Sequence, residues 1–141
     1  MLEFNRVLIP VDFSDHSRRS LGDCSKMFSD QQTREFHFVY VWRPPSDAVT
    51  WDDPQDELEQ KLVDFTADFS HSGGHVCINR LLSGHPALEI CKYADENKCD
   101  LIVLSTHGRT GLKHLFIGST AEQVVRHADC PVLTLPVPRG E

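Results

Sequence analysis

Short apolar runs alternate with amphipathic stretches along this chain. Five runs have the length of strands and are rich in β-branched or aromatic residues: Arg6–Val11, Phe36–Trp42, Val76–Leu82, Leu101–Leu104 and Pro131–Leu135. The first, fourth and fifth runs are almost continuously hydrophobic, which is typical of parallel strands that are covered on both faces. The stretches between the runs repeat apolar residues at spacings of three and four, which predicts helices.

Four helices are predicted from these spacings. Their apolar faces are Leu21, Cys24 and Phe28; Leu58, Leu62, Phe65 and Phe69; Ala87, Ile90, Cys91 and Ala94; and Ala121, Val124, Val125 and Ala128. Asp53 and Pro54 are typical of a helix start and precede the second helix, and Pro86 opens the third. The strict alternation predicts an α/β fold, a five-stranded parallel sheet with helices on both faces. No repeat or change of composition marks a second domain, so we expect one domain over residues 1–141.

Composition indicates which kinds of binding partner are disfavoured for this protein. The 141 residues carry 21 acidic and 14 basic side chains, a formal net charge of −7, and an acidic surface disfavours nucleic acid and anionic lipid. All of this net charge lies in one segment, because the stretch from Asp47 to Asp68 holds eight acidic residues and one lysine, while the rest of the chain is balanced. No apolar run approaches the roughly 20 residues of a membrane span. The five cysteines are too scattered for a zinc or dithiol motif. We expect a cytoplasmic protein with reduced thiols and with neither a nucleic-acid nor a membrane partner.

The segment after the fourth predicted strand is the first candidate for a ligand site, because open parallel sheets bind ligands beyond the carboxyl ends of their strands. It holds three glycines and two basic residues: Gly108, Gly111, Gly118, Arg109 and Lys113. No acidic residue occurs from Leu101 to Ala121, and Gly118-Ser119-Thr120 leads into a helix whose start favours phosphate. This pattern predicts a phosphate site, and a set of ordinary turns is the alternative.

Several candidate residues have two interpretations. Ser119-x-x-Glu122 is typical of a capping box, which is compatible with phosphate binding by neighbouring N–H groups. Asp12, at the tip of the first strand, is suited to accept hydrogen bonds from ribose hydroxyls, to cap the first helix or to pair with Arg18 or Arg19. His107 is placed either to donate to a phosphate or to pack beneath the turn.

Other motifs are absent or weak. The glycines do not form a P-loop or a G-x-G-x-x-G dinucleotide motif. We find no Ser-His-Asp or Cys-His set, so no catalytic residue is predicted. His71 and His75 are four residues apart, but Gly73-Gly74 lies between them and no third ligand is evident. We therefore predict a solvent-exposed loop there and no metal site.

Four segments together resemble the universal stress protein family: Arg6–Ser14, Thr106–Gly111, Gly118–Ser119 and Cys130–Leu133. They occur in the family's order and span almost the whole chain. ATP-binding members carry the pattern G-x2-G-x9-G-[ST]. Gly108 and Gly118 match its second and third glycines, Ser119 follows, and Ser105 departs from the pattern at the first glycine.

The resemblance implies a Rossmann-like fold of the adenine nucleotide alpha hydrolase type, with strand order 3-2-1-4-5. That order reverses between strands one and four, where Asp12 and the glycine segment meet. It also implies a nucleotide with adenosine near Val11 and Asp12 and a backbone contact from Val41 to adenine. The predicted nucleotide-binding residues are Pro10, Val11, Asp12, Val41, Ser105, His107, Gly108, Arg109, Gly111, Gly118, Ser119 and Thr120.

The resemblance further implies a homodimer formed through the last strand, Pro131–Leu135. The leading hypothesis is a stress-linked sensor or switch that binds ATP or AMP, with Mg²⁺ on the phosphates left open. A slow ATPase or autophosphorylating enzyme, with Ser119 or Thr120 as phosphate acceptor, is one alternative. A partner-binding module in which Ser105 has disabled the nucleotide site is the other.

Overall fold

Five strands and four helices alternate along the chain, as the hydrophobic pattern predicts. The structure is a computed structural model that describes residues 3–30, 32–44, 54–71, 74–106 and 117–136. The elements are β1 (Arg6–Pro10), α1 (Asp15–Met27), β2 (Glu35–Trp42), α2 (Gln55–His71), β3 (Val76–Ser83), α3 (Pro86–Glu96), β4 (Leu101–Ser105), α4 (Ser119–His127) and β5 (Val132–Leu135). Predicted strand ends lie within a residue of these bounds, and Pro131 precedes β5 rather than opening it.

The sheet has the order β3-β2-β1-β4-β5, and every neighbouring pair is parallel. β1 is the central strand: Val7 is in register with Phe36 on β2 and with Leu101 on β4. The order therefore reverses at β1 and β4, which confirms the fold class and strand order that the sequence predicted. This reversal leaves a gap beyond the carboxyl ends of the two strands.

Two apolar layers cover the sheet because successive strand residues point to opposite faces. Val7 and Ile9 of β1 face α1 and α2, in a layer that contains Phe36, Phe38 and Phe69. The rings of Phe36 and Phe69 meet edge to face with centroids 4.8 Å apart. Leu8 points the other way, toward α3 and α4, and lies in a layer with Val39, Ile90, Ile102 and Val124.

The predicted helix faces are largely buried, with one exception. Val125 of α4 is 50% exposed, whereas its neighbour Val124 is completely buried. Adjacent residues on a helix point about 100° apart, so only one of the two valines faces the sheet. The prediction that Val125 belongs to the buried face is wrong.

Two of the predicted helix starts differ from the structure. Ser14 is the N-cap of α1, since its hydroxyl oxygen accepts from the Ser17 N–H at 3.1 Å. The alternative in which Asp12 caps the first helix is therefore wrong. Gly118, not Ser119, is the N-cap of α4, and no side chain caps this helix, so the capping box is wrong as well. Pro86 opens α3 as predicted, and Asp53 lies outside the described residues.

The cysteines are free thiols, and two of the histidines are spaced in the sequence as possible metal ligands. All five cysteines are free, and burial raises the pKa of both Cys24 and Cys99 to about 12. His75 accepts from the Arg34 N–H at 3.1 Å and packs against Phe36, so it is half-buried in the predicted loop, whereas His71 is the exposed last residue of α2. Within the described ranges, no group of His, Cys, Asp and Glu side chains is arranged to hold a metal. None of the helices in those ranges has the length and apolarity to cross a membrane.

Candidate functional site

A cavity of about 300 Å³ opens at the carboxyl ends of β1, β2 and β4, and we call it the carboxyl-end cavity. Its volume is at the lower limit of typical small-molecule sites, which is about 300 Å³. Eight of the predicted nucleotide-binding residues are described, and all eight line this cavity: Pro10, Val11, Asp12, Val41, Ser105, Gly118, Ser119 and Thr120. The other four lie outside the described residues: His107, Gly108, Arg109 and Gly111.

Asp12 is oriented by the turn that precedes α1. Its Oδ1 accepts from the Ser14 N–H at 3.0 Å and from the Ser14 hydroxyl at 2.5 Å, and its own N–H donates to Ser17 Oγ at 3.3 Å. No described residue donates to the second carboxylate oxygen, Oδ2, or forms an ion pair with Asp12. The pairing of Asp12 with Arg18 or Arg19 is thus wrong, and Oδ2 keeps its capacity to accept from a ligand.

The turn after Asp12 is held by an aromatic cluster. Phe13 has φ of 65°, a conformation that is uncommon for a residue with a side chain. Its ring packs 4.5 Å from that of Tyr40 and 5.4 Å from that of Phe65, and the Lys61 ammonium lies 4.5 Å from the Phe13 centroid. These contacts compensate for a backbone strain of about 1–3 kcal/mol. They connect the position of Asp12 to α2.

The backbone of β2 reaches past the end of β1 into the cavity. Val39 O accepts from the Val11 N–H at 2.8 Å, so the backbone groups of Val39 point toward β1. Alternate residues of a strand direct their backbone groups to the same side, and Val41 therefore points the same way. Since β1 ends at Pro10, Val41 meets the cavity there instead of a strand partner.

The start of α4 presents backbone donors to the same cavity. The first intrahelical bond runs from Glu122 N to Gly118 O at 3.0 Å, so the preceding N–H groups, those of Ser119, Thr120 and Ala121, have no partner within the helix. Together with the helix dipole, these groups favour an anion. The Gly118 N–H donates to Thr106 O, which fixes the start of α4 against the end of β4.

Apolar side chains that the sequence analysis placed in helices and strands, but not in the ligand site, form the rest of the wall. Pro86 and Ile90 of α3 and Leu104 of β4 line the cavity beside Val11 and Val41. Pro86 and Ile90 follow the third strand, so the loop order along the sheet could have indicated them. The arrangement offers a flat apolar ligand a hydrophobic wall, with one carboxylate and one helix start at its edges.

Fold and cavity together define an α/β protein with a parallel sheet and a cavity where the strand order reverses. The sequence profile of the universal stress protein family matches residues 3–136, and the chain belongs to this family. Universal stress protein MJ0531 of Methanocaldococcus jannaschii is 48% identical over 145 residues, which cover 98% of this chain and 85% of that protein.

Solved structures share the fold. The structure of MJ0577 of M. jannaschii, described as a structure-based assignment of biochemical function, has a TM-score of 0.80 at 23% identity and covers 99% of this chain and 100% of its own. A universal stress family protein of Arabidopsis thaliana with AMP bound has a TM-score of 0.69 at 19% identity, covering 96% and 93% of the two chains.

Two further complexes carry related ligands. The protein of Archaeoglobus fulgidus in complex with dAMP has a TM-score of 0.62 at 21% identity, covering 94% of this chain and 98% of its own. A universal stress protein in complex with cAMP has a TM-score of 0.71 at 20% identity, covering 94% and 97%. At these identities the likeness establishes the fold.

Proposed function

We propose that this protein binds an adenine nucleotide, AMP or ATP, in the carboxyl-end cavity. The observation that carries the proposal is the placement of Asp12 and the start of α4 on the same apolar-walled cavity of about 300 Å³. A nucleotide has three parts that match these features: a flat apolar base, a diol and an anionic phosphate. Relatives of the same fold hold AMP, dAMP and cAMP, which supports adenine as the base.

Each part of the nucleotide has its own contacts. Adenine packs on Val11, Ile90 and Leu104 and bonds to the Val41 backbone, and the ribose hydroxyls donate to Asp12. The phosphates lie at the N–H groups that open α4. In this proposal His107, Gly108, Arg109 and Gly111 complete the phosphate site.

Ser105 marks where this chain departs from the glycine pattern of ATP-binding members. It lines the carboxyl-end cavity at the end of β4, where a glycine would leave more room. We expect AMP, with its single phosphate, to be accommodated more readily than ATP. Magnesium would be held by the phosphates of ATP, because Asp12 is the acidic residue among those that line the cavity.

A switch role requires that two nucleotides bind the same protein with different effects. We propose that AMP and ATP differ in how they engage the segment between β4 and α4. In a cytoplasmic homodimer joined through the strand predicted at Pro131–Leu135, a change in the segment after β4 would affect the dimer interface, because β5 pairs with β4. Thr106, at the end of β4, already donates its N–H to Leu135 O at 3.0 Å.

Calorimetric titration of the purified protein with AMP, ATP and GTP tests the binding proposal. Asp12→Asn is the sharpest variant, because its amide oxygen still accepts from Ser14 while its NH₂ group replaces Oδ2 and cannot accept from ribose. We expect an affinity loss of about tenfold for AMP, since a hydrogen bond to a charged group contributes about 1.5–3 kcal/mol.

Asp15→Asn is the matched control, since it removes the same charge three residues away on an exposed position outside the cavity. It should leave AMP affinity within about twofold, as expected for a surface substitution. Equal losses in both variants, or no binding of any nucleotide at millimolar concentration, would contradict the proposal. Stoichiometric ADP release from bound ATP would indicate the enzymatic alternative.

A further inference from the structure

A second cavity, of about 420 Å³, lies at the opposite edge of the sheet, and we call it the amino-end cavity. It is formed where β1, β2 and β3 begin and where α3 ends. Its lining is mainly polar and charged: Arg6, Glu35, His37, Arg80, Tyr93 and Lys98, together with Ile78, Glu96 and Asn97. The carboxyl-end ligand makes no use of these residues.

A chain of three side chains runs into the wall of the amino-end cavity. His37 Nε2 lies 2.6 Å from Glu35 Oε1, and His37 Nδ1 lies 2.6 Å from the Tyr93 hydroxyl. His37 is only 3% exposed and stands on the sheet face that otherwise carries Val39 and Val41. An imidazole buried among apolar groups is costly unless both nitrogens are bonded, and here they are.

The protonation state of His37 decides what Tyr93 can do. A carboxylate only accepts, so Nε2 carries a hydrogen toward Glu35 in either state. In the neutral ring Nδ1 must then accept, and the Tyr93 hydroxyl donates its hydrogen to Nδ1. In the protonated ring Nδ1 donates to the Tyr93 oxygen instead, and the hydroxyl hydrogen is released toward the cavity. Protonation of His37 therefore converts Tyr93 into a donor for a ligand.

The charges around the amino-end cavity favour an anion. Arg6 is engaged, with its guanidinium 3.5 Å from Glu35 Oε2 and donating to Asn97 O at 2.9 Å, where it offsets the negative end of α3. Arg80 and Lys98 form no ion pair with another described residue, and Arg80 donates only to Asn79 O at 3.2 Å. Glu35 and Glu96 are the acidic residues of the lining, and Glu35 is engaged by Arg6 and His37.

Arg80 also acts on Tyr93. Burial raises the pKa of the Tyr93 hydroxyl, and the positive charge of Arg80 works against this effect. Arg80 and Tyr93 both line this cavity. The lining of this cavity therefore brings together two cations, Arg80 and Lys98, and the Tyr93 side chain.

We propose that the amino-end cavity binds a small oxyanion between Arg80, Lys98 and the Tyr93 hydroxyl, and that binding is coupled to the uptake of one proton by His37. The ligand class is a tetrahedral dianion of the sulfate or phosphate type, which matches separate donors from three directions. The titratable and charged groups that face His37 and Tyr93 are Glu35 on β2, Arg6 on β1, Arg80 on β3, and Glu96, Lys98 and Cys99 at the end of α3.

The test is a calorimetric titration with sulfate at constant ionic strength, at about pH 5.5 and about pH 8, the range in which histidines change charge. Sulfate keeps the same charge over this range, so any change of affinity comes from the protein. We expect binding to be about tenfold tighter at the lower pH. Titration near neutral pH in buffers of different ionisation heat should show uptake of up to one proton per sulfate.

Three variants separate this mechanism from a general attraction of anions to a more positive protein. Tyr93→Phe should abolish most of the pH dependence while weak binding to the two cations persists. Arg80→Gln should weaken sulfate binding about tenfold at both pH values. Lys92→Gln, which removes a cation from the exposed side of α3 outside the cavity, should change it less than twofold.

Absence of sulfate binding, equal effects of Arg80→Gln and Lys92→Gln, or an unchanged pH dependence in Tyr93→Phe would each overturn the proposal. Should Tyr93→Phe fail to fold, the proton count of the wild-type protein decides, because sulfate binding without proton uptake excludes the coupling. AMP binding is measured on the same samples and is expected to be unaffected. The proposal for the amino-end cavity can therefore be contradicted without contradicting the proposed nucleotide site, and the reverse.

Discussion

At the carboxyl end of the sheet, apolar side chains form the walls and the polar groups have bonding capacity to spare, whereas at the amino end the polar side chains largely satisfy one another. Asp12 keeps an oxygen free among the described residues, and the first N–H groups of α4 have no partner in their helix. Glu35, His37 and Tyr93 instead form a closed chain. In our proposals, the carboxyl end binds its ligand with groups that are already available, whereas binding at the amino end requires protonation of His37.

The largest expected effect is at the carboxyl end. Gly118→Val places a branched side chain where the phosphates are proposed to lie. Its backbone, with φ of −72° and ψ of 161°, is one that valine adopts without strain. We expect AMP binding to weaken about 100-fold, since overpacking costs about 1–3 kcal/mol and each 1.4 kcal/mol is tenfold. Calorimetric titration of the same sample with AMP and with sulfate measures the affinity at each of the two cavities.

Gly22→Ala is the control for this glycine replacement. Gly22 lies within α1, and nothing is within 4 Å of an added Cβ. The variant should bind AMP normally and should be about 0.5–1 kcal/mol more stable, because alanine favours the helix over glycine. Normal AMP binding in Gly118→Val would contradict the proposed position of the phosphates, and loss of sulfate binding in it would show that the two ends are not separate sites.

A second comparison concerns stability. Tyr93→Phe leaves His37 Nδ1 buried without its partner, which costs about 1–3 kcal/mol. Asp12→Asn retains both bonds to Ser14, and we expect a change within about 0.5 kcal/mol. Urea unfolding of both variants measures the difference in free energy. If Asp12→Asn lost more free energy of unfolding than Tyr93→Phe, the assignment of the structurally important hydrogen bonds to the amino end would be contradicted.

The smallest effect is electrostatic and also lies at the amino end. Burial raises the pKa of Asp95, and the neighbouring carboxylate of Asp129 raises it further. A raised pKa in the folded state means that ionised Asp95 opposes folding above that pKa, and that the penalty disappears as pH falls below the unfolded value. Asp95→Asn should therefore raise the melting temperature at neutral pH.

Thermal unfolding over a series of pH values checks the sign of this effect. The advantage of Asp95→Asn should shrink as pH falls through the range of ordinary carboxyl groups and vanish in acid, where the wild-type side chain is itself neutral. A constant advantage at every pH would mean that the gain has another cause, such as helix propensity in α3.

The fold was predictable because it depends on short hydrophobic patterns that recur along the sequence. Leu101–Leu104 is too short and too apolar for anything but a strand covered on both faces, and Leu62, Phe65 and Phe69 define one helix face. Val125 was misassigned because a list of apolar residues does not say which of two neighbours points inward. The strand order came from the family resemblance, and the structure has the same order.

The site was only partly predictable, because its details depend on long-range contacts. The N-cap of α4 is set by the bond from Gly118 N to Thr106 O, which no local capping rule contains. His37 was not singled out because its partner Tyr93 is 56 residues away and Glu35 is on the same strand. An imidazole that alternates with apolar residues in a buried strand is the signal that could have indicated it.

The bond from Gly118 to Thr106 has a consequence for engineering and for divergence among related chains. It ties together the two residues that flank positions 107–117, so the length of that insert is not transmitted to β4 or α4. Closing a longer insert costs only about 0.6 kcal/mol for each doubling of its length. We expect sequence changes in that segment, including a grafted peptide, to alter the proposed phosphate contacts while β4 and α4 keep their positions.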